Sequence, residues 1–203
     1  MAYPIDLTIV LSGATRAQLA NWRRRENPVL IPEVSSTPRV LYSFRDVVAL
    51  RTIAKLRSEL SLQKVRRAFD SLRSDLDLTD HPSEYKLIAF NDSVVLVKDG
   101  EATDLVKHPG QQFLVTMDDV FAEFENLKGQ RVVNLLNPRD GIEVKPGRLS
   151  GWPTVRDTRV GYDTVAELVA GGVPPEEVPE YYPTVQAQYV SDAVDFADLV
   201  ESA

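Results

Sequence analysis

The spacing of apolar residues changes twice along this chain, and that change limits the fold more than any single motif does. Between residues 43 and 72, Phe44, Val47, Leu50, Ile53 and Ala54 and then Leu62, Val65, Phe69 and Leu72 recur three and four apart, with Arg45, Arg51, Lys55 and Arg57 lying between the first set. Such spacing puts one apolar face on each of two helices. From 85 to 115 the apolar runs become short and β-rich ("YKLIAF", "VVLVK", "ATDLVK", "QFLV"), separated by Asn91-Asp92, Asp99-Gly100 and His108-Pro109-Gly110. Asp-Gly between such runs is a hairpin signal, so the stretch reads as a β-meander. From 151 the period is helical again. The pattern predicts an α+β chain divided at 1–80, 81–149 and 150–203: an N-terminal winged helix-turn-helix, a small central β-meander and a C-terminal three-helix domain of helix-turn-helix type.

Local signals refine this reading. "IDLTIVLS" reads as a short helix ended by Gly13, and Thr15 caps a second helix, "RAQLANWRRR", with Leu19 and Trp22 inward. Pro28, Pro32 and Pro38 with Ser35 and Ser36 spell a turn-containing loop between two short β-like pieces. Ser43 and Ser61 cap the two helices that follow. "MDDVFAEFENLKG" reads as a short amphipathic helix from Asp118 to Gly129, and "VVNLL" and "GIEV" as short strands. "KPGRLSGWP" has the Gly/Pro content of a boundary. In the tail, Asp163 caps a helix that stops at Gly171-Gly172, "PPEEV" opens a second, and Pro183-Thr184 starts a third in which Tyr189, Ala193, Phe196 and Val200 share a face.

Charge is segregated. Residues 1–75 hold 13 Lys/Arg and 7 Asp/Glu, or +6, whereas residues 76–203 hold 10 and 23, or −13. The positive charge is densest in "GATRAQLANWRRR". Several enzyme classes find no support. There is no cysteine and no Gly-rich phosphate loop, and His81 and His108 both precede proline, which reads as turn chemistry. Asp118/Asp119 and Glu176/Glu177 sit at helix starts, where they complement the helix dipole. The sequence therefore predicts no catalytic residue, no metal site, no cofactor and no enzyme. It shows no signal peptide, and no apolar run approaches the ~20 residues of a membrane helix, so a cytoplasmic, non-membrane protein is expected.

Two stretches resemble known families. "LSGATRAQLANWRR…LIPEVSSTPRVLYSFRDVVALRTIAKLRSELSLQKVRRAF" resembles the MerR-type DNA-binding domain, carried by Gly13, Thr15, Leu19, Trp22, Pro32, Tyr42, Ser43, Phe44, Ser61, Leu62 and Val65. The long dimerisation helix that follows this domain in the family is missing. "GWPTVRDTRVGYDTVAELVAGGVPPEEVPEYYPTVQAQYVSDAVDFA" resembles the domain-of-unknown-function 433 family, carried by Gly151, Pro153, Val155, Arg156, Thr158, Arg159, Gly172, Glu176, Glu177, Tyr182 and Pro183. Pro179 departs from that pattern and predicts a short or kinked second helix.

Together the two resemblances imply a VapB-type antitoxin of a type II toxin–antitoxin pair. Such a protein would repress its own operon by binding double-stranded operator DNA, neutralise a PIN-domain (VapC-type) ribonuclease, and act as a homodimer. The alternative is a stand-alone MerR-like regulator without a toxin partner. On the first resemblance, Thr15, Arg16, Gln18, Asn21, Arg23, Arg24, Arg25 and Arg39 are the expected DNA-contacting residues, with Arg16, Gln18 and Asn21 nearest the bases. Thr158 and Arg159 are expected as a turn cap and a buried ion pair. A PIN ribonuclease holds metal with clustered carboxylates that an inserted arginine could block. Arg139 in "NPRDG" and Arg148 in "KPGRLSG", both in turn-like and exposed sequence, are the arginines expected to do so.

Overall fold

The computed structural model describes residues 1–24, 28–74, 80–90, 93–98, 101–106, 112–114 and 120–203. Four helices come first: α1 (Ile5–Ser12), α2 (Arg16–Trp22), α3 (Phe44–Glu59) and α4 (Leu62–Ser74). Gly13 ends α1 in the left-handed region at φ 74°, with its N–H on Ile9 O. A Cβ there would lie 2.5 Å from Val132 Cγ2, so both the turn and the packing above it require glycine. Thr15 then opens α2 with a capping box: its hydroxyl accepts from Gln18 N–H, and Gln18 Oε1 accepts from Thr15 N–H at 2.8 Å. Ser43 and Asp46 make the same box at the start of α3. These ends were legible because every partner lies within a few residues.

The loop between α2 and α3 folds back on itself through a bridge between Ser35 and Leu41, and Tyr42 pairs with Tyr3 next to α1. This is the wing. Helix α3 is buried on nearly all sides because it touches α1, α4 and two later strands.

The meander forms as its sequence predicts: β1 (Leu87–Phe90), β2 (Ser93–Lys98), β3 (Glu101–Asp104) and β4 (Gln112–Leu114) make an antiparallel sheet in that order. It packs on α3 and α4 through β1 and β2. The three turn signals at 91–92, 99–100 and 108–110, like Asp118 and Asp119, lie outside the described residues. The described part of the helix expected over 118–129 is instead a hairpin, β5 (Phe124–Glu125) paired with β6 (Arg131–Val132). Asn126 explains the difference. Its Oδ1 accepts from Lys128 N–H and Gln130 N–H, and Gly129 takes φ 71°, so the chain turns where an apolar spacing of three suggested a helix.

Arg51 fastens this hairpin. It lies among the polar positions between apolar ones, yet it is fully buried. Its Nε donates to Val120 O at 2.7 Å, Nη1 to Leu11 O at 2.5 Å, and Nη2 to Ala122 O and Val133 O at 2.7 Å each. The guanidinium also lies 5.1 Å from the Phe124 ring centroid. One side chain thus joins the end of α1 to both arms of the hairpin.

The C-terminal part begins with a second short hairpin, β7 (Ile142–Glu143) with β8 (Thr154–Val155), followed by α5 (Tyr162–Ala170), α6 (Val178–Tyr181) and α7 (Val190–Glu201). Gly161, not Asp163, is the N-cap of α5, and Asp163 instead accepts from Trp152 Nε1 at 3.2 Å. Pro179 falls in the first turn of the four-residue α6, where its missing N–H is not needed. Helix α7 starts at Val190, after a 3-10 turn over Ala187–Tyr189, and buries Ala193, Phe196 and Val200.

The "KPGRLSGWP" stretch packs tightly against the N-terminal helices. Gly151, at φ 80°, lets the backbone come so near Phe44 that a Cβ would sit 2.6 Å from its ring. Tyr3 donates its hydroxyl to Ser150 O. An aromatic chain runs across the junction, with Phe44–Tyr3, Tyr3–Trp152, Trp152–Tyr162 and Tyr162–Phe196 centroids 6.3, 5.7, 6.1 and 4.8 Å apart. Burial pushes the Tyr3 and Tyr162 hydroxyls far above the ordinary phenol range. One hydrophobic core runs through both ends of the chain.

Candidate nucleic-acid interface

Helix α2 buries Leu19 and Trp22 and leaves Arg16, Ala17 and Ala20 exposed, and Arg24 is exposed just past its end. Small residues beside arginines suit a surface that must approach a duplex closely. The expected DNA-contacting residues divide into three groups. Arg24 and, at the wing tip, Arg39 are exposed and bound to no other described side chain. Arg16 is exposed but forms an ion pair with Asp6 of α1. Thr15 and Gln18 are occupied by the capping box, and Asn21 is half-buried.

Arg23 is also half-buried, not outward as its place in the helix suggests. Its charge acts on the Tyr42 hydroxyl, which is buried without a hydrogen-bond partner among the described residues. Burial pushes that hydroxyl up from its ordinary value, the Arg23 charge pulls it down, and Asp46 adds to the upward push. Arg25 lies outside the described residues.

The turn before α2 forms one wall of a groove of about 610 Å³, lined by Gly13, Thr15 and Arg16 on one side and Asn126, Lys128 and Arg131 on the other. Asn126 Nδ2 donates to Gly13 O at 3.1 Å and fixes the hairpin against the helix-turn-helix turn. Sequence reading missed this neighbour because 113 residues separate the two partners.

In the C-terminal part, Glu143 is buried and gathers the surrounding loop. It accepts from Lys145 Nζ at 2.7 Å, from Asp157 N–H at 2.8 Å and from the Arg148 guanidinium. Burial alone would raise this carboxyl. The contacts from Lys145, the Asp157 N–H and Arg148 outweigh burial and hold it below the ordinary carboxylate range. Arg148 is therefore not the exposed loop arginine that its sequence suggests: its side chain is 20 % exposed and turned onto Glu143. Arg139 is half-buried and bonds Pro138 O. Thr158 caps its turn, accepting from Val160 N–H and donating to Val155 O. Arg159, expected in a buried ion pair, is instead exposed, and it lines an open depression with Lys145, Arg148 and Thr184.

His81 does the turn work expected of it, since its ring accepts from Ser83 N–H at the start of the 3-10 turn Pro82–Glu84. It also meets Asp46 and Glu33, which lie 35 and 48 positions earlier in the chain. No helix among the described residues is long and apolar enough to cross a membrane.

Comparison with known proteins agrees with the two halves of this geometry. The family model described as "MerR HTH family regulatory protein" matches residues 3–72. The model described as "Protein of unknown function (DUF433)" matches residues 142–197, from the first residue of β7 into α7. No curated protein matches the chain. Among solved structures, the X-ray crystal structure of Rv2018 from Mycobacterium tuberculosis is similar at 13 % identity and a TM-score of 0.57, over 95 % of this chain and 96 % of that one. The two chains thus share their fold across nearly their whole length. The protein carries a MerR-like helix-turn-helix region at its N-terminus and a DUF433 domain at its C-terminus, an arrangement compatible with a DNA-binding regulator.

Proposed function

We propose that this chain is a non-enzymatic, cytoplasmic DNA-binding repressor that also serves as the antitoxin of a type II toxin–antitoxin pair. The observation that carries the DNA reading is the outer face of α2, where Arg16 lies beside two exposed alanines, together with Arg24 just past the end of the helix and Arg39 at the wing tip. Helix α2 would enter the major groove of operator DNA while Arg39 meets the backbone beside it. Homodimers would then read inverted repeats.

The antitoxin reading rests on the resemblance of the DUF433 region to antitoxins that accompany PIN-domain ribonucleases. Neutralisation would come from an arginine that forks onto the toxin's metal-binding carboxylates. Arg148 would have to leave Glu143 to do so and Arg139 would have to leave its turn, whereas Arg159 is exposed and bound to no other described side chain.

Binding of a labelled operator fragment, followed by fluorescence anisotropy across a salt series, tests the first part. Replacing Arg24 and Arg39 together by alanine should weaken binding about tenfold and flatten the log–log salt slope by ~1.8, or ~0.9 per lost phosphate contact. An unchanged slope would remove α2 and the wing from the interface. Co-expression with the neighbouring gene tests the second part: if a toxic neighbour is not silenced, the chain is a stand-alone regulator.

A further inference from the structure

Three side chains from distant parts of the sequence converge at the base of the wing. Asp46 is fully buried in the first turn of α3. Its Oδ2 is occupied, accepting from Ser43 N–H at 2.8 Å and Glu33 N–H at 2.9 Å. Its Oδ1 faces His81 Nε2 at 3.2 Å, and the same nitrogen lies 4.0 Å from Glu33 Oε1. The three ligand atoms all lie within 4.8 Å of one another. Glu33 Oε2 is held by the Ser43 hydroxyl at 2.6 Å, which leaves Oε1 directed at the histidine. On the solvent side, Arg45 approaches Glu33 at 3.7 Å and Glu84 at 3.4 Å. Two carboxylate oxygens, Asp46 Oδ1 and Glu33 Oε1, thus face one imidazole nitrogen, with the Arg45 guanidinium against the same Glu33 oxygen from the solvent side.

We propose that Glu33, Asp46 and His81 form a site for one divalent cation of the zinc type, which clamps the wing and the 80–84 segment onto the start of α3. Ligand bonds of ~2.0–2.2 Å in tetrahedral geometry place ligand atoms roughly 3.3–3.5 Å apart. The 3.2 and 4.0 Å separations bracket that range. Glu33, whose side chain is 36 % exposed, can close the longer gap and leaves a fourth position open to water. One imidazole nitrogen and two carboxylate oxygens, without sulfur, suit Zn²⁺, Co²⁺ or Ni²⁺ and not a thiophilic ion.

The partner on the far side of the ring fits as well. When the cation takes Nε2, the imidazole proton resides on Nδ1, which gives up the Ser83 N–H that it accepts in the metal-free chain and donates instead to the Ser83 hydroxyl, 2.8 Å away. That contact would fix the tautomer and the ring orientation, the usual role of the group behind a metal-bound histidine. Without the cation, the proton resides on Nε2 and is donated to Asp46.

The site is independent of whether the chain binds DNA, and so is its test. Zn²⁺ is titrated into the full chain by calorimetry near pH 7.5, with thermal unfolding followed in parallel. One equivalent should bind and raise the midpoint. His81→Ala should abolish the event, Glu33→Gln should weaken it about tenfold, and Ser83→Ala should weaken it by ~10–100-fold. His108→Ala, which removes the other histidine, should leave it intact. If His81→Ala proves unfolded, Glu33→Gln and Ser83→Ala still decide the matter. Absence of Zn²⁺ binding by the unaltered chain overturns the proposal, as does binding that survives in both Glu33→Gln and Ser83→Ala or that disappears in His108→Ala.

Discussion

The basic end of the molecule buries a cation and the acidic end buries an anion. Arg51 is enclosed by backbone carbonyls of α1 and of the 120–133 hairpin, and Glu143 by Lys145, Arg148 and the Asp157 N–H. Arg51 fastens a hairpin to helices α1 and α3, whereas Glu143 gathers the loops beside its own hairpin, by different chemistry. Arg51 satisfies carbonyl acceptors that the hairpin leaves pointing inward, whereas Glu143 collects cations that would otherwise face solvent. The consequence appears at the surface. The N-terminal region keeps Arg16, Arg24 and Arg39 exposed, while the C-terminal region turns Arg148 inward onto its own carboxylate and draws the exposed Lys145 to the same group. Over residues 150–203, 2 Arg stand against 10 Asp/Glu. Field segregation therefore arises from pairing as well as from composition, and it leaves one end of an acidic chain able to meet a polyanion.

Replacing Arg51 tests the stronger of the two staples. Arg51→Met keeps the bulk but leaves its carbonyl acceptors without donors in a dry interior. Stability should fall by about 3–5 kcal/mol, read as a lower urea midpoint. Arg51→Lys should recover only part of the loss, because an ammonium does not span the carbonyls of α1 and of both hairpin arms. A loss below about 1 kcal/mol in Arg51→Met would show that the hairpin holds without it.

Glu143 should respond less to substitution but clearly to acid. Its folded pKa is held below the ordinary value of 4.5. A carboxyl depressed in this way contributes its stability in full above the unfolded value and loses it as the pH falls through the folded one. Glu143→Gln should therefore lower stability by about 1–3 kcal/mol at pH 7, with the difference from the parent chain shrinking progressively below pH 4.5. A guanidinium does not titrate in this window, so the Arg51→Met deficit should stay constant through it. Acid titrations of the two variants, followed by circular dichroism, compare the staples directly. Equal pH dependence in both would mean that Glu143 is not what ties the acidic end together.

What the sequence made legible was short-range. Thr15, Ser43 and Gly13 announce their caps and turn within four residues, and the meander follows from alternating runs and turn dipeptides. The residues that set the arrangement have distant partners. Arg51 bonds Leu11 and Val133, 40 and 82 positions away, and His81 meets Asp46 across 35. Spacing along a helix places Arg51 between apolar neighbours but does not reveal that α3 is covered on nearly every side. The 120–129 stretch misleads for a related reason. Phe121, Phe124 and Leu127 recur three apart, and the Asn126 side chain then overrides that signal by closing a turn. In the candidate interface, exposed arginines were legible as charges. The engagement of Arg16 with Asp6, like that of Arg148 with Glu143, was not, because it depends on which elements pack together.

The Asp6–Arg16 pair gives the smallest and most diagnostic change. It joins α1 to the first residue of α2 with the two side chains 45 % and 58 % exposed. An exposed ion pair contributes about 0–1 kcal/mol, so Asp6→Asn should hardly move the urea midpoint, in contrast to either buried staple. Its effect should appear in binding. The change releases Arg16 and removes a negative charge from the edge of the face that would meet phosphates. Operator affinity at low salt should therefore rise a few-fold, and the gain should fade as screening shortens the Debye length from about 10 Å at 0.1 M salt toward 3 Å at 1 M. Arg16→Ala should do the reverse, and combining it with Asp6→Asn should cancel most of the gain, since the released guanidinium would be absent. If Asp6→Asn raises affinity equally in the presence and absence of Arg16, the effect is the lost carboxylate alone, and Arg16 belongs to the fold of the turn and not to the DNA interface.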